Sequence, residues 1–341
     1  MSIRNVLVVF NPVAGVGWKR REGEVETMVR ELRAAGVAVA TAETRGPQAP
    51  PGALFEGLGD FEAVLACGGD GTVNEILQGL VKRRRQAKLG IIPMGSGNLM
   101  AGEMGMHRPL AANVKTLLSA PVESCRVACI APLNPSGGPP RYWLAAAGIG
   151  ADARVICGIN PAHKARFGIV AYYAESARQL LFTREPFSPF VVEFVDPRTG
   201  AIRSEVVTQV VVERIGYFGR FLEESAADPL ASDAFRAVLF KTARRWDYLA
   251  YGVRLLAYQA LGRYGQVSDV EVIRTDEISC RALPKLVSAP ASAPHASTEV
   301  LAEVDGELLG GLPVRVGLAN FWVGVLCPGN AQSRDGSATL P

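Results

Sequence analysis

Histidine is scarce in this chain. It occurs three times in 341 residues, at His107, His163 and His295, far apart and in no shared motif, so a histidine-based metal centre is not expected. The cysteines (Cys67, Cys125, Cys129, Cys157, Cys280 and Cys327) form no Cys-x-x-Cys pair and no disulfide framework. They read as reduced thiols of a cytoplasmic protein. A surplus of one charge is also missing. Thirty-six basic residues stand against 33 acidic ones, a net charge of +3, which excludes a polybasic nucleic-acid binder. Long apolar runs are absent too. The longest uncharged stretch, Val316 to Ser333, is broken by Asn320, Gly324 and Pro328, a poor membrane span. Near the start, an apolar run after Arg4 stops at Asn11-Pro12 with no cleavage-site pattern, so no signal peptide is expected.

What remains is a chain able to bury large cores. Hydrophobic residues make up 48% and charged residues 20% of a length that suits two domains. Val6 to Phe10 reads as a strand buried on both faces. An amphipathic helix with Val25, Met28, Val29 and Leu32 on one face follows, and then a strand over Val37–Thr44. Ala63–Ala66 and Leu89–Ile92 read as further strands, separated by a helix that buries Val73, Ile76, Leu77, Leu80 and Val81. This alternation predicts a doubly wound α/β domain over residues 1–125.

The rest of the chain reads as antiparallel β structure. Strands are expected at Tyr142–Ala147, Phe190–Val195, Val206–Val212, Ala237–Lys241, Val270–Ile273, Glu299–Val304 and Val314–Leu318, with helices near 161–183 and 244–262. Leu286–Thr298 reads as a loop and the tail from Gly329 as frayed.

Three turns carry the chemical signal. Gly68-Gly69-Asp70-Gly71-Thr72 lies between a buried strand and a helix, where helix N–H groups and close backbone approach favour phosphate. Thr72 and Glu75 also match a capping box, which by itself would explain both. A carboxylate at Asp70 would be repelled by phosphate unless Mg²⁺ or a substrate hydroxyl intervenes. Gly95-Ser96-Gly97-Asn98 follows the next strand and would face the same crevice. Val304-Asp305-Gly306-Glu307 has, locally, the look of a hairpin turn.

Together with Asn11-Pro12-x-x-Gly15, and with Ala147-Gly148-Ile149-Gly150-Ala151-Asp152 further on, these turns resemble the catalytic domain of the diacylglycerol kinase and sphingosine kinase family of lipid kinases. The resemblance implies an α/β nucleotide-binding domain, doubly wound and NAD kinase-like, plus an antiparallel β-sandwich domain. The boundaries would be 1–125, completed by 320–332, and 126–319. It implies ATP and Mg²⁺, with phosphoryl transfer to a lipid hydroxyl at a membrane surface. Asp70 and Glu307 become the catalytic carboxylates, with the role of base open between them. Asn11, Pro12, Gly15, Gly68, Gly69, Gly71, Thr72, Gly95, Ser96, Gly97 and Asn98 become nucleotide contacts, and Asp152 a substrate contact.

The chain departs from the family pattern at Leu99, at Glu213-Arg214 and at Asp233-Ala234, where many members carry Asp, Asn-Gly and Asp-Gly. These departures leave open the lipid, which could be a diacylglycerol or a sphingoid type, and any accessory Mg²⁺ site. A soluble-substrate kinase of the NAD kinase-like fold and a non-catalytic nucleotide or lipid sensor are the alternatives. Oligomeric state, including a homodimer, is not fixed. The basic run Lys82–Lys88 reads as a helix end facing water, or as a contact for anionic lipid on the inner membrane face.

Overall fold

The opening apolar run becomes strand β1 (Asn5–Phe10), buried at Val6, Leu7, Val8 and Val9. The computed structural model describes residues 3–12, 18–46, 49–50, 52–95, 97–104, 106, 117–135, 137–160, 163, 169–182, 187–215, 232–261, 267–283 and 299–328. The expected features at Gly15, Ser96, 286–298 and beyond 328 lie outside these residues. Helix α1 (Trp18–Ala34), β2 (Ala38–Glu43), β3 (Ala63–Gly68), α2 (Asp70–Arg83) and β4 (Lys88–Pro93) complete the alternation. The four strands run parallel in the order β2-β1-β3-β4. The order therefore reverses between β1 and β3. At such a switch point the loops after the two strands diverge and open a crevice for ligands.

The second half folds as the sequence suggested, with two instructive differences. The apolar run Tyr142–Ala147 is not one strand. It divides into β6 (Arg141–Trp143) and β7 (Ala146–Gly150), which belong to different sheets. The run Val206–Val212 likewise divides at Thr208 into β9 (Ile202–Val207) and β10 (Gln209–Glu213), again in different sheets. Both are corners where the chain crosses from one layer of a sandwich to the other. Hydrophobicity is continuous through such a corner, so sequence pattern cannot mark it. Strands β5 (Val122–Pro132), β13 (Glu277–Ala282) and β15 (Glu307–Gly311) were not expected.

The second sheet has the order β12-β11-β10-β7-β14-β15, with β11 (Phe235–Phe240), β12 (Val270–Thr275) and β14 (Leu301–Val304). Its inner face, including Ile149, Val210, Val212 and Val304, packs on Ile130, Trp143, Ile278 and Val314 from the first sheet. Its outer face is covered by helices. These are α4 (Ala151–Gly158), α5 (Ile169–Phe182) and α6 (Arg245–Leu261), preceded by the short α3 (Leu99–Glu103) in the first half.

Two long strands join the halves. β5 and β16 (Val314–Leu326) pair antiparallel along most of their length, with a register shift between Leu318 and Trp322. One end of β16 pairs with β13 inside the sandwich, and the other reaches β4 of the parallel sheet. Val323, Val325 and Leu326 are buried in the core of the parallel half, while Val314 and Val316 belong to the core of the sandwich. Strand β8 (Phe190–Val195) and β9 close the far edge of this shared sheet.

Candidate functional site

Helix α2 begins at Gly69, whose backbone is extended, and Asp70 is its first residue. The Asp70 carboxylate accepts the amides of Leu99 and Met100, each at 3.1 Å. It thus fastens the start of α2 to the start of α3. Burial pushes the Asp70 carboxyl above its ordinary value, and the Met100 and Leu99 amides pull partly against this. Asn98 adopts the left-handed conformation and closes its own turn, accepting Gly95 N at 2.9 Å and donating to Gly95 O at 2.8 Å.

The two glycine turns touch through their backbones. A Cβ placed on Gly95 would lie 2.4 Å from Gly69 Cα, and one on Gly97 would lie 3.2 Å from Asp70 Oδ2. Gly68, Gly69, Gly95, Gly97 and Asn98 are therefore brought together as expected, around Asp70. Thr72 and Glu75 do not form the capping box. The Thr72 hydroxyl is buried with no hydrogen-bond partner, and the Glu75 carboxylate accepts the amides of Arg45 and Gly46 instead.

Beyond these turns opens a cleft lined by Asn11, Gly71, Thr72, Glu75, Arg141 and Glu307, among others. Asn11 stands at the switch point, its amide donating to Cys67 O at 3.3 Å, with Pro12 half-buried after it. Glu307 enters from the other half of the molecule. The hairpin between β14 and β15 turns through Asp305 and Gly306, both with positive φ (48° and 81°). This is the two-residue turn that an Asp-Gly pair favours. Its local reading as a hairpin was right, and the hairpin also faces the cleft. Glu307 Oε2 accepts Arg141 Nη2 at 2.6 Å. Glu307 Oε1 points toward Gly71, 3.8 Å from where a Cβ on that glycine would sit.

Helix α2 is stitched to this hairpin. Asn74 Nδ2 donates to Asp305 Oδ2 at 2.8 Å and to Tyr142 O at 3.0 Å. Gln78 exchanges two bonds with the Tyr142 backbone, at 2.6 and 3.1 Å. Asp305 Oδ1 also accepts the Ala146 amide at 3.2 Å. Burial raises the Asp305 carboxyl to about 7, against the pull of Asn74 and Ala146, and the charges of Asp70 and Glu307 add to the rise.

Asp152 lies elsewhere. It is buried at the start of α4, beneath α5, and is not among the residues that line the cleft. It accepts the Tyr172 hydroxyl and faces Glu303 across a buried hydrogen bond. Burial raises both carboxyls; the hydrogen bonds from Tyr172 and Glu303 pull Asp152 partly back, while the charge of Asp152 pushes Glu303 further up. Glu303 also accepts the amide of Gly306 at 2.7 Å, which links this acidic pair to the hairpin that carries Glu307.

The departures from the family pattern are structural here. Glu213 pairs with Arg236 at 3.1 Å, both buried. Arg214 is fully buried and donates to the carbonyls of Ala234, Ser232 and Arg126. Asp233 pairs with Arg126 at 2.9 Å. Arginines thus engage the acidic groups of this region, so these residues do not fit an accessory Mg²⁺. Among the described residues, no group of three or more His, Cys, Asp or Glu is arranged to hold a metal, and the six cysteines are thiols outside any disulfide.

The sequence reading missed Arg141 and Glu303 as site residues. Arg141 had one signal, a lone cation beside a long apolar run. Glu303 had none, because it reads as the solvent-facing member of a strand.

Comparison with known proteins agrees with this architecture. Residues 5–130 match the family model "Diacylglycerol kinase catalytic domain". The diacylglycerol kinase of Bacillus subtilis (strain 168) is 26% identical over 184 residues, which is 52% of this chain. The match spans 56% of that protein's own length, so the chain covers about half of this curated relative. A crystal structure of a diacylglycerol kinase from Bacillus anthracis str. Sterne has a TM-score of 0.62 at 18% identity, covering 96% of this chain and 98% of its own. A second structure from that strain has a TM-score of 0.66 at 19% identity, covering 96% of both chains. At such identity these likenesses establish the fold, a parallel-rich α/β sheet with a separate antiparallel sheet. The matched stretch, from Asn5 to Ile130, is the part of the chain that supplies the glycine turns and Asp70, and there the chain is similar to diacylglycerol kinase catalytic domains.

Proposed function

We propose that this chain is an ATP-dependent lipid kinase and that Glu307 is its general base. The observation that carries the reading is the placement of Glu307 across the cleft from the first turn of α2, with one oxygen held by Arg141 and the other turned toward Gly71.

The residues present fit a nucleotide polyphosphate. The first turn of a 14-residue helix presents its N-terminal end to the cleft, and the buried Thr72 hydroxyl has no hydrogen-bond partner among the described residues. Asp70 would hold Mg²⁺, which is commonly bound by one or two carboxylates together with phosphate oxygens. Bound Mg-ATP would supply the transferable phosphoryl group and neutralise its developing charge. The chain's own work is the rest. Glu307 Oε1 takes the proton of the lipid hydroxyl, a weak nucleophile until it is deprotonated. Arg141 keeps Glu307 oriented and offsets negative charge in the cleft. Asp70 locks the two glycine turns together, so the phosphate-facing backbone is set before substrate arrives.

The test is transfer of labelled γ-phosphate from Mg-ATP to diacylglycerol, monoacylglycerol, sphingosine and ceramide in mixed micelles. One labelled lipid is expected. Glu307→Gln should lower kcat by about 100-fold or more, the scale of a lost general base, with little change in KM for ATP. Full activity of Glu307→Gln would remove the base assignment. Labelling of a water-soluble acceptor alone would overturn the lipid reading.

A further inference from the structure

Helices α5 and α6 each bury one face and leave an apolar one in water. On α6, Tyr248, Tyr251 and Leu255 pack on the outer face of the second sheet. One helical step around, Trp246, Leu249 and Val253 are exposed at 76%, 42% and 57%. On α5, Tyr172 points inward to Asp152, while Leu181 and Phe182 are exposed at 59% and 79%. The two stripes meet at a corner, where Arg245 Nη1 donates to the carbonyl of Leu181 at 3.2 Å. Exposed apolar side chains clustered in this way and rimmed by charge mark an interaction site.

The charge around the patch selects the partner. Arg244 and Arg254 are exposed on or next to these helices. Among the described residues, the acids of these two helices are engaged internally. Glu175 accepts Arg178 and Gln179, and Asp247 accepts the Thr242 hydroxyl. Exposed Trp, Phe and Leu beside arginines on helices lying flat is the composition of a surface that sinks into the headgroup region of an anionic bilayer.

We propose that the outer face of α5 and α6 docks on an anionic lipid bilayer. The position suits this. The same α5 that shows Phe182 outward carries Tyr172 inward onto Asp152, so the buried acidic pair lies about one helix diameter, roughly 10 Å, beneath the docked face. The basic run Lys82–Lys88 is placed less well. It precedes β4, at the opposite end of the parallel sheet from the glycine turns, and Arg85 is already taken by the carbonyls of Leu58 and Gly59 and by the Phe55 ring.

The experiment is co-sedimentation of the full chain with phosphatidylcholine vesicles, with and without phosphatidylglycerol. It contains no nucleotide, so its outcome stands whether or not the kinase reading does. Binding is expected only with the anionic lipid. The double variant Phe182→Glu/Trp246→Glu should bind at least about tenfold more weakly, because two large apolar side chains lose their burial. Both positions are exposed, so folding should be unchanged by circular dichroism. Arg254→Glu should weaken binding in low salt more than in high salt. Unchanged binding by the double variant would overturn the proposal. So would a dimer that the double variant splits without any change in vesicle binding, because the face would then belong to a second copy.

Discussion

Gly95 is where the architecture of the site can be tested by a single methyl group. Its φ is not in the left-handed region, so alanine carries no backbone penalty there, and any cost is contact alone. The added Cβ would stand 2.4 Å from Gly69 Cα and 3.0 Å from Asn98 Oδ1. Carbon atoms ordinarily rest about 3.5–4.0 Å apart, so the two turns must separate by more than 1 Å. The neighbour is backbone and cannot rotate away. Separation also strains the two amide bonds that Asp70 makes to Leu99 and Met100. Overpacking and the weakened charged bonds together should cost about 2–5 kcal/mol. Gly102, inside α3, is the control. Nothing lies within 4 Å of its added Cβ, and alanine there should be neutral or stabilising by about 0.5–1 kcal/mol. Urea unfolding of the two variants, with calorimetric ATP binding alongside, makes the comparison. If Gly95→Ala unfolds at the same urea concentration as Gly102→Ala and binds ATP equally well, the two turns are not a single clamped unit.

Two further outcomes follow from the stitching of α2 to the hairpin. The folded chain raises the Asp305 carboxyl from 3.8 to about 7, so it binds that proton more tightly than the unfolded chain does. Stability is therefore lost as pH climbs from about 4 through 7. Asp305→Asn, which cannot ionise, should gain on the wild type by an amount on the order of 2–3 kcal/mol between pH 5 and pH 8, read from unfolding midpoints at the two pH values. Asn74→Ala removes a donor from the half-buried Asp305 and from Tyr142 O, and should destabilise by about 1–3 kcal/mol. A double-mutant cycle with Asp305→Asn should then be non-additive, and simple additivity would mean that the two groups do not interact.

The parallel half was legible because its signals are local. A run such as Val6–Phe10 is apolar at every position, as a strand covered on both faces must be, and Gly68–Thr72 announces a strand-to-helix turn by composition. The second half was legible in its strands and not in their partners. Nothing in Trp143-Leu144-Ala145-Ala146 says that the chain changes sheets there, because both sides of the corner are equally buried. β5 was overlooked because Glu123, Ser124 and Arg126 make its first part polar, although its partner is the long β16. At the site, the family resemblance named Asp70 and Glu307 as a catalytic pair, whereas the local sequence around Glu307 read only as a hairpin turn. The structure puts Asp70 among backbone amides and Glu307 at the cleft, a division of labour that depends on which atoms each carboxylate meets. Glu303 was invisible, since a glutamate in a strand is ordinarily solvated, and only the covering helices make it buried.

The shared strands impose an order in time. β5 and β16 lie side by side, yet Arg126 and the Ala319 carbonyl it bonds are 193 residues apart in sequence. A ribosome therefore finishes the parallel strands, the glycine turns and Asp70 long before it makes the strand that flanks β4. Throughout that interval β4 presents an open edge to any passing strand. The nucleotide half acquires its last neighbour only when β16 emerges, and β16 brings the sandwich with it. Assembly of the two halves is consequently one late event, and Glu307, carried on the hairpin just before β16, reaches the cleft at that same moment.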